Sequence, residues 1–220
     1  MVANISGSRF GFPIKAVAFD LDDTLFDRRA ALGVLLEKWT GVPIDPRRLI
    51  EMNLLPRKEL FVDFARLLSC DMDGQTVERR FRAEFPACVK EVPETIAALD
   101  RLRAEGVPLG LLSNGSPGMQ LAKLRACGAA PYFTPDRTLI SGAIRLEKPD
   151  PRAFRLLADR LGVEPGEVLF IGDDPVRDIA GAIAAGMIAC QFLRPGRERT
   201  ADVPVIESLV KLPQLLIASA

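Results

Sequence analysis

Between residues 93 and 192, short apolar runs alternate with amphipathic stretches bracketed by proline and glycine. Pro93-Glu94 opens a helical pattern through Ile96, Leu99 and Leu102 that stops at Gly106; Val107-Pro108-Leu109-Gly110-Leu111-Leu112 then reads as a buried strand. Ser116-Pro117 starts a helix with Gly128 past its end, and Asp150-Pro151 starts another that closes at Gly162. Val168 to Ile171 is a second strand, Asp174-Pro175 opens a helix ending at Gly186, and Ile188 to Phe192 is a third strand. Proline at the first helical position and glycine beyond the last mark helix starts and stops. Continuous apolar strands alternating with helices predict a parallel sheet covered on both faces. Ala16 to Phe19 is a further strand of the same sheet. The predicted fold class is therefore α/β, with a doubly wound, Rossmann-like core.

The stretch from about Arg28 to Val92 has helical periodicity (Leu32, Leu35, Leu36, Trp39; then Leu60, Phe61, Phe64, Leu67, Leu68) and no strand pattern. Asp45-Pro46 and Asp73-Gly74 read as turns or helix starts. The expected organisation is a core domain of residues 1–27 and 93–220 with an inserted helical cap domain of about four helices over residues 28–92. Such an insertion, attached by two connections, can act as a lid. Trp39, spaced helically from apolar neighbours, is expected in the core of the insertion. Val203 to Leu216 suggests a short strand and a last helix, and Ile217 to Ala220 is expected to fray.

Composition narrows the function. A chain of 220 residues, 48% hydrophobic, buries roughly 70% of its unfolded surface and needs no staples. Lysine plus arginine equals aspartate plus glutamate, so no basic field draws the chain to nucleic acid or anionic lipid. Arg79-Arg80 and the group Arg194, Arg197 and Arg199 read as solvated faces. Histidine is absent, which excludes Ser-His-Asp triads, Cys-His dyads and His-ligated zinc. Cys70, Cys88, Cys127 and Cys190 form no CxxC and are expected as reduced, mostly packed thiols. Met1 to Lys15 lacks the apolar core of a secretion signal, and no apolar run reaches about 18 residues. A cytoplasmic protein without a membrane span is expected.

The candidate chemistry sits where apolar runs end. Ala16 to Phe19 is followed by Asp20, Asp22, Asp23 and Thr24. Leu112 is followed by Ser113-Asn114-Gly115, and Ile171 by Gly172-Asp173-Asp174 with Asp178 one turn on. Lys148 stands ahead of the helix opened by Asp150-Pro151. Ligands of open parallel sheets bind outside the carboxyl ends of the strands, so these residues are expected on one edge. Clustered carboxylates need a cation or a proton. Mg²⁺ takes oxygen ligands, and Asp20 and Asp173 offer two. Asp20, at the end of a rigid strand, suits a nucleophile, and Asp22 a general acid that later serves as base. Ser113 and Asn114 can hydrogen-bond phosphoryl oxygens, and Lys148 supplies positive charge. Asp23 reads as a turn residue, and Asp150 and Asp174 as helix caps. Arg28, Arg29, Arg57 and Lys58 receive no role.

In this order and spacing, the motifs resemble the haloacid dehalogenase (HAD) superfamily, in its C1-type subgroup with a helical cap after the first motif. The DxDxT motif matches Asp20, Asp22 and Thr24; the strand-terminal hydroxyl matches Ser113; the lysine before Pro-Asp-Pro matches Lys148; and GDxxxxD matches Gly172, Asp173 and Asp178. The resemblance implies an aspartyl-phosphate on Asp20, acid and base work by Asp22, and Mg²⁺ held by Asp20, the backbone oxygen of Asp22 and Asp173. It also implies that Thr24 shapes Asp22 and that Asp178 supports Lys148 or a metal-bound water. The expected activity is Mg²⁺-dependent phosphomonoester hydrolysis of a small phosphorylated metabolite. A phosphomutase or phosphonate hydrolase would keep the same residues. Carbon–halogen hydrolysis needs neither a leaving-group acid nor a cation, and leaves Asp22 and Asp173 unexplained. A phospho-accepting receiver module would be about half this length, without an insertion, and with its acidic pair on another strand.

Overall fold

The structure, a computed structural model, describes residues 14–55, 57–67, 73–212 and 216. The chain divides into two compact units, Asp27–Lys90 and the pair of segments Met1–Phe26 and Glu91–Ala220.

The first of these units is helical, with α1 (Arg28–Thr40), α2 (Pro46–Leu54), α3 (Arg57–Leu67) and α4 (Gly74–Cys88). Asp27, Asp45 and Asp73 cap α1, α2 and α4 by accepting from Ala30, Arg47 and Thr76 amides at 2.8, 2.8 and 2.7 Å. Each satisfies a first-turn donor that has no helical partner. The periodic apolar positions Leu32, Leu35, Leu36, Met52, Leu60, Phe61, Phe64, Val77, Phe81 and Phe85 are buried. Phe61, Phe64, Phe81 and Phe85 pack with ring centroids 4.6 to 6.2 Å apart. Trp39 meets Phe64 edge-on at 5.9 Å and donates its indole N–H to Glu84 Oε2 at 3.1 Å. Arg80 departs from the solvated reading: its guanidinium lies 4.6 Å over the Trp39 ring and bonds Glu84 Oε1 at 2.8 Å. A planar cation stacked on indole shields apolar surface while its edge keeps a carboxylate partner. Arg28 donates to the Asn53 carbonyl at 2.8 Å, within the same unit. Leu68, Cys70 and the side chains of Arg57 and Lys58 lie outside the described residues.

In the other unit, six strands form one sheet: β1 (Ala16–Phe19), β2 (Leu109–Ser113), β3 (Thr138–Ile140), β4 (Val168–Gly172), β5 (Ile188–Phe192) and β6 (Val205–Ile206). The order is β3-β2-β1-β4-β5-β6 and every pairing is parallel. Helices α5 (Pro93–Ala104), α6 (Pro117–Ala126), α7 (Ser141–Ile144), α8 (Pro151–Leu161) and α9 (Gly181–Ala184) connect them. β1 is buried throughout, with Phe19 level with Leu111 on one side and Ile171 on the other. The chain builds outward from β1 to β3, then crosses to β4 and builds the other way. That reversal at β1 and β4 is the switch point at which doubly wound sheets bind ligands. Successive strand residues face opposite sides. Ala16, Ala18, Val168 and Phe170 pack with Phe154, Leu157 and Ala158 of α8, and Phe154 meets Phe170 edge-on at 4.9 Å. Phe19 on the opposite face meets Phe133 at 6.2 Å.

Three features differ from the sequence pattern or go beyond it. β3 was not apparent, because three edge residues are too short to establish a period. The helix expected from Asp174 to Gly186 begins as a π-helical turn, Pro175–Ala180, before α9. There the Ile179 amide reaches back five residues to the Asp174 carbonyl at 3.1 Å. The tail contains β6 and a 3₁₀ turn, Leu209–Lys211. The fraying expected for Ile217–Ala220, and all but the last two residues of the Met1–Lys15 segment, lie outside the described residues. Cys88, Cys127 and Cys190 are free and buried; burial pushes the Cys127 thiol up to about 11 and the Cys190 thiol up to about 12. No helix among the described residues is long and apolar enough to cross a membrane.

Candidate active site

Asp20 is the first residue past β1 and remains tied to the sheet, its amide donating to the Ile171 carbonyl at 2.9 Å. Its buried carboxylate accepts from Lys148 Nζ at 2.5 Å, and Lys148 Nζ also meets Asp178 Oδ1 at 2.6 Å. Thr24, expected to shape Asp22, directs its hydroxyl instead at Asp20 Oδ2, a long contact of 3.5 Å. Asp178 comes from the π-helical turn and folds back over the end of β4, its Oδ2 accepting from the Asp174 amide at 3.0 Å. A β-carbon at Gly172 would lie 2.5 Å from Asp178 Cγ, so only glycine lets this carboxylate approach the strand end. Asp173 follows Gly172 and is buried as well.

Asp20, Asp173 and Asp178 each offer an oxygen within 4.8 Å of the others. Burial raises the Asp20 carboxyl to about 7; Lys148 opposes the rise while Asp178 and Asp22 add to it. Burial, with help from Asp178, raises Asp173 to about 8 against the pull of Arg197. Burial alone would lower the Lys148 ammonium, but the Asp178 and Asp20 carboxylates override it and hold it above its ordinary value. A buried, all-oxygen donor set short of positive charge fits a hard divalent cation.

Asp22 stands apart from this cluster. Its oxygens accept from Lys123 Nζ at 2.7 and 2.6 Å and from Gln120 Nε2 at 2.9 Å. Gln120 Nε2 also reaches Ser113 Oγ at 2.5 Å, linking the end of β2 to Asp22 through α6. Gln120 and Lys123, both buried, lie in no strand-end motif of the sequence. A signal was available: they share the stripe 120, 123, 124 and 127 with Leu124 and Cys127, the i, i+3, i+4, i+7 positions that face a core. A glutamine and a lysine on a core-facing stripe need polar partners.

Asn114, expected to contact phosphoryl oxygens, is committed to the polypeptide. Its Nδ2 donates to the Lys148 carbonyl and its Oδ1 accepts from the Lys148 amide, both at 2.9 Å. It thereby holds the backbone that presents the Lys148 ammonium. Asp23 is a turn residue as expected, with φ of 62°, a left-handed conformation that aspartate tolerates. Asp150 and Asp174 cap their helices as expected, Asp150 accepting from Arg152 N and Asp174 from Val176 N and Arg177 N.

Two arginines read as solvated are drawn into the site. Arg194 Nε donates to the Asp23 carbonyl at 2.7 Å. Arg197 Nε donates to Asp173 Oδ2 at 2.6 Å, and its Nη1 lies 3.2 Å from Asp174 Oδ2. A local charge pattern cannot show that the segment after β5 returns to the ends of β1 and β4.

The chain is similar to known proteins in sequence and fold. The haloacid dehalogenase-like hydrolase family matches residues 14–186. A phosphoserine phosphatase of Thermus thermophilus is 43% identical over 97 residues, 44% of this chain and 38% of that protein's length. A glyceraldehyde 3-phosphate phosphatase of Methanopyrus kandleri is 32% identical over 199 residues, 82% of this chain and 84% of that protein. The crystal structure of a HAD phosphatase from Thermococcus onnurineus superposes with a TM-score of 0.64 at 28% identity, covering 92% of this chain and 98% of that one.

Proposed function

The chain belongs to the haloacid dehalogenase-like hydrolase family, and on that footing we propose that it is a Mg²⁺-dependent phosphomonoester hydrolase acting on a small phosphorylated metabolite through a phosphoryl group carried on Asp20. The observation that carries this reading is the division of labour between two aspartates two positions apart. Asp20 shares a buried ammonium with Asp178, while Asp22 is held separately by Lys123 and Gln120. Two-step transfer requires such a nucleophile beside an independent acid and base. The phosphoserine and glyceraldehyde 3-phosphate phosphatases among the relatives support a small phosphomonoester as substrate.

In the first step an Asp20 oxygen attacks phosphorus, the bond from phosphorus to the ester oxygen breaks, and that oxygen takes a proton from Asp22. In the second, Asp22 removes a proton from water, the water oxygen attacks phosphorus, and the bond from phosphorus to Asp20 breaks. Inorganic phosphate leaves, Asp20 is again a carboxylate and Asp22 again carries its proton. Lys123 balances Asp22 while it is charged between the steps. Ser113 and Lys148 bind phosphoryl oxygens, Asn114 keeps Lys148 in place, and Thr24 steadies Asp20. Asp20 and Asp173, with the backbone oxygen of Asp22 as the family resemblance implies and Asp178 alongside, would hold Mg²⁺, whose charge would offset repulsion between the acidic site and the phosphoryl oxygens. Substrate selection is assigned to the helical unit, which follows the Asp20–Thr24 turn directly in the chain.

The test is phosphate release from sugar phosphates, phosphoglycolate, nucleotides and phosphoamino acids, with Mg²⁺ or with chelator. Release from small monoesters that stops in chelator is expected. Asp20→Asn is expected to lower turnover by at least about 10³-fold while still melting cooperatively. A fully active Asp20→Asn protein overturns the mechanism. Transfer to a second hydroxyl without free phosphate identifies a phosphomutase instead.

A further inference from the structure

Arg197 is carried to the acidic cluster by a turn fastened on both sides. Its amide bonds back to the Arg194 carbonyl at 3.0 Å, and Gly196, at φ of 86°, follows Pro195. Proline then glycine at the two central positions suits a type II turn. Before the turn, Arg194 bonds the Asp23 carbonyl at 2.7 Å and its guanidinium lies 4.6 Å over the Phe192 ring. After it, buried Gln191 donates to the Glu198 carbonyl at 2.7 Å and accepts from the Thr200 amide at 2.8 Å. The Arg197 side chain is consequently only 15% exposed, with Nε on Asp173 and Nη1 reaching Asp174. Withdrawing an arginine this far from water is costly unless it meets charge that needs it.

That need is evident around the cluster. The carboxylates of Asp20, Asp173, Asp174 and Asp178 face Lys148, Arg177 and Arg197. Lys148 pairs with Asp20 and Asp178 and Arg177 with Asp174, while Arg197 pairs with Asp173. We propose that Arg197 is a tethered counter-cation: it pairs with Asp173 and so weakens the hold of the site on a divalent cation. The inference rests on the cation role given to Asp173 above. An incoming cation competes with the guanidinium for Asp173 and is repelled by it at short range. Asp174 gives Arg197 a carboxylate to keep when Asp173 turns to the cation. The device makes cation binding readily reversible while lessening the repulsion within the acidic cluster.

Isothermal titration of Mg²⁺ into the full chain tests this directly, without substrate. Arg197→Gln is expected to bind Mg²⁺ roughly 10- to 100-fold more tightly than wild type. Arg197→Lys, which keeps the charge, is expected within about threefold of wild type. Unchanged affinity in Arg197→Gln overturns the proposal. Weaker affinity also overturns it, since Arg197 would then be holding Asp173 in place for the cation. Should Arg197→Gln fail to melt cooperatively, Pro195→Gly is read instead: it keeps every charge but loosens the turn, and tightening of about threefold or more is expected, with no tightening overturning the proposal. Equal Mg²⁺ affinities in a chain that releases phosphate defeat this inference alone. Absence of phosphate release with the affinity difference intact defeats the phosphatase reading alone.

Discussion

Asp20 and Asp22 carry identical side chains two residues apart, yet the fold gives them different surroundings. One lies buried between Lys148 and two other carboxylates; the other is partly exposed and paired with Lys123 and Gln120. Rigid strand geometry aims the first, and the loop that follows turns the second toward α6. If Lys123 balances Asp22 between the two chemical steps, Lys123→Met is expected to lower kcat by about 10- to 100-fold, less than loss of Asp22 itself. KM is expected to change little. Steady-state phosphate release from the best substrate measures both. The aspartates, Ser113 and Lys148 could be picked out of the sequence because each follows an apolar run or precedes a proline-started helix. Their partners could not be paired by inspection, since Lys123 and Asp22 are 101 positions apart.

At the scale of elements, most of the molecule was legible. β1, β2, β4 and β5 are apolar runs with polar residues at one end, and Asp27, Asp45, Asp73, Asp150 and Asp174 all act as helix caps. Contacts between helices were less so. Glu84 of α4 binds Lys38 of α1 at 2.7 Å, Trp39 at 3.1 Å and Arg80 at 2.8 Å. Hydrogen bonds from Lys38 and Arg80 hold its carboxyl at about 2, below the ordinary 4.5. A depressed acid stabilises the folded state above its unfolded value and loses that contribution as pH falls through the folded one. Glu84→Gln is therefore expected to cost about 1 kcal/mol at pH 7, after allowing for solvent screening. The gap to wild type should be full above about 4.5 and close as the pH drops toward 2. Urea unfolding followed by fluorescence of Trp39, the single tryptophan, across that range provides the check.

For the whole molecule, the parallel order β3-β2-β1-β4-β5-β6 sets β1 beside β4, so strand ends far apart in sequence lie side by side. A site built from buried carboxylates should make stability depend on cation. At a free Mg²⁺ concentration about 100 times Kd, binding to the folded state adds about 2.7 kcal/mol, or a rise in Tm of about 5 to 10 °C for a chain of this size. Calorimetry in Mg²⁺ and in chelator measures the rise, and Asp173→Asn is expected to abolish most of it. The sequence by itself determined the α/β architecture, the strand ends at which the candidate residues stand and, through the lack of histidine, which side chains are available for chemistry. These are local properties, set by period, by capping residues and by which side chains exist at all. Only the tertiary structure decided which cation meets which carboxylate: Lys148 to Asp20 across 128 positions, Lys123 to Asp22 across 101 and Arg197 to Asp173 across 24. The physical reason is that periodicity sets the face a residue occupies, whereas pairing between distant residues depends on strand order and the paths of loops.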